Sequence, residues 1–196
     1  MEKCVGAVVK FGRYMGEPVE WLVLEQGDGR ALLLSKYGLE AKPFNSHITA
    51  VTWETCTLRN WLNKDFYGSA FDEKEKEGIL VTKVVTEKNP ENGGGFENDT
   101  QDKLFVLTSG EVKKYLGSNE KRICFATEYA KKNGVFVYEG KCAWWLRSPG
   151  EEENCGNDCL EVVQNDGSLF DDGVECIWSD LAVRPAMWVD LSKMEK

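Results

Sequence analysis

Histidine is nearly missing from this chain: one, His47, occurs among 196 residues. It has no Ser or Cys neighbour in a recognised nucleophile motif, so paired acid–base chemistry at neutral pH lacks its commonest group and a structural role is the simpler reading. No window approaches the roughly 20 apolar residues of a membrane span. The opening Met1-Glu2-Lys3-Cys4-Val5-Gly6 has no long apolar run of the secretory kind. Excess positive charge is missing as well. With 24 basic against 33 acidic residues the formal charge is -9, which argues against nucleic acid, a partner that demands clustered Lys and Arg. Paired C-x-x-C knuckles are absent. Cys155 and Cys159, with Cys142 and Cys176 in the same region, therefore make a weak zinc set, and buried or free thiols are the simpler reading. An EF-hand is excluded because no D-x-[DN]-x-[DN]-G loop occurs. Seven cysteines, an odd number, fit reduced thiols in a cytosolic compartment better than a complete disulfide framework. No cofactor is expected.

What is present concentrates near the C-terminus. Two rigid apolar blocks, residues 143–150 and 182–191, bracket a polar, Gly-punctuated segment. Between Arg147 and Arg184 there is no Lys or Arg and there are ten carboxylates, which leaves 23 acidic against 24 basic residues elsewhere. The whole excess of negative charge thus sits in one segment. Trp144, Arg147, Arg184 and Trp188 in the flanks are expected to form a fixed base, with at least one of the two arginines bound to a carboxylate or a backbone carbonyl. Residues 151–180 are expected to be displayed on that base. Asn154, Asn157, Asp158, Asp171, Asp172, Trp178 and Ser179 are the candidate ligand-binding residues. Trp178, beside Ser179-Asp180, is the expected anchor, and a macromolecule with a basic patch the expected partner. Calcium at Asp158, Asp171 or Asp172 is an alternative to solvated loop carboxylates.

The pattern of elements is strands, then helices, then strands, an α+β class in a single domain. Residues 5–10, 19–25 and 30–35 read as a meander, with Asp28-Gly29 supplying a type I′ turn. Residues 37–52 read as a loop. Leu58, Trp61, Leu62 and Phe66 form one helical stripe over residues 55–65. Asp72 with Glu75, and Thr108 with Glu111, have capping-box spacing, and a further helix spans residues 127–132. Strands are expected at residues 79–86, 103–107, 144–147, 160–164, 168–170, 175–178 and 183–189, with a loop at 89–99 and a turn at Asn165-Asp166-Gly167.

Four blocks carry a resemblance: Thr57-Leu58-Arg59-Asn60-Trp61-Leu62-Asn63, Asp102-Lys103-Leu104-Phe105-Val106-Leu107-Thr108, Trp144-Trp145-Leu146-Arg147-Ser148-Pro149-Gly150 and Val183-Arg184-Pro185-Ala186-Met187-Trp188. In this order they resemble a bacterial family of C-type-lectin-like domains. That family is similar to the variable proteins of diversity-generating retroelements and, distantly, to the formylglycine-generating and sulfatase-modifying group. The resemblance implies a C-type-lectin-like fold of antiparallel sheets, short helices and long loops. It also implies a non-enzymatic ligand-binding domain whose hypermutated segment would be residues 151–180. The alternatives are an enzyme of the formylglycine-generating kind, with Cys142, Cys155, Cys159 or Cys176 as its thiol, and a calcium-dependent carbohydrate binder.

Overall fold

The computed structural model describes residues 4–86, 98–151 and 156–194. The opening meander forms from β1 (Val8–Tyr14), β2 (Glu17–Gly27) and β3 (Arg30–Ser35). Asp28 and Gly29 have φ of 51° and 73°, the two positive values a type I′ hairpin requires. The short strand β4 (Glu40–Ala41) interrupts the segment expected to be all loop.

Helix α1 (Thr57–Trp61) continues through a π turn, Leu62–Phe66, into α2 (Tyr67–Ala70). Leu58, Leu62 and Phe66 are buried, each worth at most about 2 kcal/mol. The Phe66 ring meets Tyr14 of β1 at 4.9 Å between centroids, so the stripe docks the helix on the meander. Helix α3 (Glu73–Gly78) starts with the expected capping box: Glu75 N donates to Asp72 Oδ1 and Asp72 N to Glu75 Oε2. After β5 (Thr82–Val84) and β6 (Thr100–Asp102), α4 (Ser109–Tyr115) repeats the device with Thr108 and Glu111. Then follow α5 (Asn119–Arg122), β7 (Cys124–Phe125), α6 (Glu128–Lys132), β8 (Lys141–Cys142), β9 (Trp144–Pro149), β10 (Cys159–Val163), β11 (Leu169–Glu175), β12 (Ala182–Val183) and β13 (Ala186–Asp190).

Two sheets organise the molecule. The first has the order β1-β2-β3-β13 and is antiparallel throughout; the second has the order β11-β10-β9-β12-β4, with β12 parallel to β9. Two small hairpins, β5-β6 and β7-β8, complete the pairing. Mixed sheets with a few short helices make this an α+β protein, mostly β. Among the described residues no helix is long and apolar enough to cross a membrane.

Three expectations are corrected. The single strand expected at 183–189 is two, because the chain leaves the second sheet after Val183 and joins the first at Ala186. Of residues 79–86 only Thr82–Val84 make a ladder, with Thr100–Asp102, and the strand expected at 103–107 makes none. Beyond these, Ile79 and Phe105 make single bridges to β13. The reason lies in side chains: Asn63 Oδ1 accepts from Lys103 N (2.9 Å) and Leu104 N (3.1 Å), and Arg147 takes the Val106 carbonyl. Those backbone groups are satisfied without a neighbouring strand. Finally, β11 runs unbroken from Leu169 to Glu175, taking in most of the strand expected at 168–170 but only the first residue of the one expected at 175–178, since Cys176 and Ile177 turn; it bulges against β10, with 160↔174 followed by 162↔170.

The turn after β10 is fixed by steric fit. Gly167 has φ of 84°, and a Cβ there would lie 1.9 Å from the Asn119 carbonyl oxygen on α5. Gly29 has φ of 73° with nothing within 4 Å. Gly29→Ala should therefore lose only the left-handed penalty, about 1–2 kcal/mol. Gly167→Ala should lose that plus the clash, roughly 3 kcal/mol or more. Urea unfolding of the two variants side by side checks this, and equal losses would contradict the fit at Asn119.

Candidate functional site

The four blocks are joined to one another through their side chains. Arg59 Nε donates to Asp102 Oδ1 (2.8 Å), and Asp102 Oδ2 accepts from Trp53 Nε1 (2.9 Å). Asn63 clamps Lys103 and Leu104, as above. The buried Arg147 donates to both carboxylate oxygens of Glu111, at 2.7 and 3.0 Å, and to the carbonyls of Val106 and Val85. Arg184, 1% exposed, donates from Nε to the Ser35 carbonyl (2.9 Å) and stands 4.8 Å from the centroid of the buried Trp144 ring. Both arginines thus bind as expected at the base of the segment. The carboxylate, however, comes from α4, where the sequence marked Glu111 only as a capping residue. Trp188 is half-buried, with the Arg30 guanidinium 4.6 Å from its ring.

The acidic segment is less free than its composition implies. Strands β10 and β11 run through it, and Leu160, Val162, Val163 and Cys176 are buried. Val162 and Val163, paired with Trp145 and Trp144, point to opposite faces of the sheet, and both faces are covered there. Of the candidate residues, Asn154 lies outside the described residues. Asn157 and Ser179 are exposed and Asp158 is half-buried. The carbonyls of Asn157 and Asp158 accept from Val51 N (3.1 Å) and Cys176 N (2.8 Å). On β11, Asp171 is exposed and Asp172 half-buried. Among the described residues no three His, Cys, Asp or Glu side chains converge as a metal ion needs, so Asp158, Asp171 and Asp172 are not brought together as a calcium site. His47 is exposed, and its carbonyl accepts from Asn45 Nδ2 (2.9 Å).

Trp178 stands apart. It is 48% exposed and lines a groove of about 470 Å³ on the face of β10 and β11 that carries Val162, Phe170 and Val174. Phe136 forms the facing wall, 59% exposed, and its amide donates to the Asp180 carbonyl (2.9 Å). Gln164, Asn165, Asp166 and Asp180 supply the polar lining, and no Lys, Arg or His contributes. Two large exposed rings in one concave surface are unusual for a side chain class that ordinarily buries itself, which makes this groove the candidate binding face. Sequence reading reached Trp178 but missed Phe136, whose only signal was an aromatic just past the Asn133-Gly134 helix stop. A second hollow of about 510 Å³ lies between β1, β2 and α6. There Glu20 is already bridged to Lys36 at 2.8 Å, so its charge is partly neutralised.

The candidate thiols are poor nucleophiles. Burial pushes the Cys176 thiol up, and Cys159 is disulfide-bonded, which corrects the expectation of reduced thiols throughout. An odd cysteine count forbids complete pairing, not one bond. Cys155 lies outside the described residues. Cys142 faces Cys124 across the β7–β8 ladder, and both are fully buried. Its hydrogen bond to Cys124, then burial, push Cys142 up. For Cys124, burial raises the thiol, but the hydrogen bond from Cys142 and the charge of Arg184 overcome it and bring the value down to about 7. The Cys124 thiol and the Arg184 guanidinium thus act on one another inside the core, a role in structure.

These features define a mostly β, mixed-sheet α+β domain with an acidic aromatic groove. Residues 28–191 match the model of the family described as Domain of unknown function (DUF6273), and the chain belongs to that family. No curated protein and no solved structure matches it.

The thiol pair gives a pH dependence whose sign follows from linkage. A value of about 7 for Cys124 lies below the ordinary thiol value of 9.0, so its contribution is complete above that ordinary value and is lost as pH falls through about 7. Cys142 acts oppositely above the ordinary thiol range, where only the unfolded chain ionises. The stability difference between wild type and Cys124→Ser should therefore widen by on the order of 1 kcal/mol or more between about pH 6 and about pH 9. Urea unfolding across that range measures it, and a constant difference would refute a thiolate at Cys124.

Proposed function

We propose that this is a C-type-lectin-like, non-enzymatic binding domain that recognises a macromolecular partner through the acidic face of residues 151–180, with the Trp178 groove as its centre. The observation that carries the reading is the pairing of exposed Trp178 and Phe136 in a groove without a basic residue. Aromatic anchors dominate binding energy when a partner desolvates them, and the surrounding carboxylates favour a basic partner surface and speed its approach. The buried or disulfide-bonded state of Cys142, Cys176 and Cys159 weighs against the thiol-enzyme alternative. The resemblance to retroelement variable proteins adds that the segment is diversified. On this fold such variation would be confined to exposed positions such as Asn157, Asp171, Trp178 and Ser179, because β10 supplies core residues. A neighbouring reverse transcriptase gene with a near-copy of this coding region would support that part.

The test uses a random-peptide library selected on the immobilised protein. Enriched peptides are expected to be rich in Lys and Arg, to weaken as salt rises, and to lose roughly thirtyfold or more in affinity for Trp178→Ala. That variant should melt within a few degrees of wild type, since the side chain is half exposed. Peptides that bind Trp178→Ala as well as wild type would overturn the assignment of the groove.

A further inference from the structure

We propose that the Trp178 groove is a site for a quaternary ammonium group, whose methyls lie against the rings while its charge faces the carboxylates. The proposal rests on the groove being the recognition surface and names the chemistry it selects. Three aromatic side chains, Phe136, Phe170 and Trp178, line it. Ring faces carry the negative end of the aromatic quadrupole and attract cations. Asp166 and Asp180 add two exposed carboxylates; hydrogen bonds from Ser168 and, more weakly, the charge of Lys141 hold the Asp166 carboxyl below its ordinary value, and no Lys or Arg lines the groove itself.

The kind of cation follows from what else lines the groove. Ala143, Val162, Val174 and Leu181 join the rings, so most of the lining is apolar. A primary ammonium is strongly hydrated and would surrender its water to few acceptors. A guanidinium seeks a bidentate carboxylate, but Asp166 Oδ1 already accepts from Ser168 N (2.9 Å) and Ser168 Oγ (2.6 Å). A quaternary ammonium needs no hydrogen bond and gains from both the apolar walls and the field. At about 470 Å³ the groove exceeds one such headgroup, leaving room for the moiety that bears it.

Choline and its uncharged isostere 3,3-dimethyl-1-butanol separate charge from shape, and ethanolamine separates methylation from charge. Binding is followed by the Trp178 indole N–H resonance, assigned with Trp178→Phe. Choline should shift that resonance and bind about tenfold or more tightly than either comparator. Asp180→Asn should weaken choline severalfold and leave the isostere unchanged, while Trp178→Phe, which keeps a ring, should retain part of the affinity. Equal binding of choline and its isostere, or no response of Trp178 to choline, would overturn the proposal. Choline that displaces the library-selected peptides supports it. Peptides that bind through Trp178 and are not displaced by choline would overturn this inference while leaving the peptide-binding reading intact.

Discussion

The structure depends on one crossing, at Arg184-Pro185, where the chain passes from the second sheet to the first. β12 closes against β9 and β4 before it, and β13 completes the β1-β2-β3 sheet after it. The Arg184 side chain is enclosed at that crossing, held by the Ser35 carbonyl and the Trp144 ring. Ser35 N donates to the Pro185 carbonyl at 2.8 Å, so the same short stretch is tied from both directions. A buried guanidinium without a carboxylate partner is expensive unless charge and dipoles surround it. Backbone carbonyls and the indole face meet part of that need, and the Arg184 charge in turn lowers the Cys124 thiol. The outcome is a joint that tolerates few alternatives, on which both sheets register.

Everything between Arg147 and Arg184 is anchored by that joint at one end and by the Arg147–Glu111 pair at the other. Glu111 serves twice: it accepts from the Thr108 amide as the capping residue of α4 and from Arg147 as counter-ion. Fixing both ends allows a run with ten carboxylates and no base to fold. Its apolar residues enter the core through β10, while Glu151, Asp166, Asp171, Glu175 and Asp180 are exposed. Two of these, Asp166 and Asp180, place their charge at the aromatic groove.

The four blocks that carry the resemblance are mainly fasteners. Arg59, Asn63, Asp102, Arg147 and Arg184 spend their hydrogen-bonding capacity on one another's segments or on backbone groups that would otherwise be buried unpaired. The groove residues Phe136, Phe170 and Trp178 lie outside all four blocks. The four blocks therefore belong to the scaffold, and the proposed binding chemistry rests on residues they do not include.

The hairpin at Asp28-Gly29, the two capping boxes, the Leu58-Leu62-Phe66 stripe and the stop at Asn133-Gly134 were legible in the sequence, because each is set by backbone φ or by partners three or four residues away. So was the acidic character of the displayed face, and so was the exposure of Trp178. Tertiary structure alone decided the rest. It split residues 182–190 between two sheets, since which edge a strand joins depends on β3 and β9, far away in the chain. It shortened the strands near residues 80 and 104, because Asn63 and Arg147 reached the backbone first. It also placed Cys124 opposite Cys142 and brought Phe136 into one groove with Trp178 across 41 intervening positions. No local spacing rule encodes such a meeting; it exists only when the sheets have formed and packed.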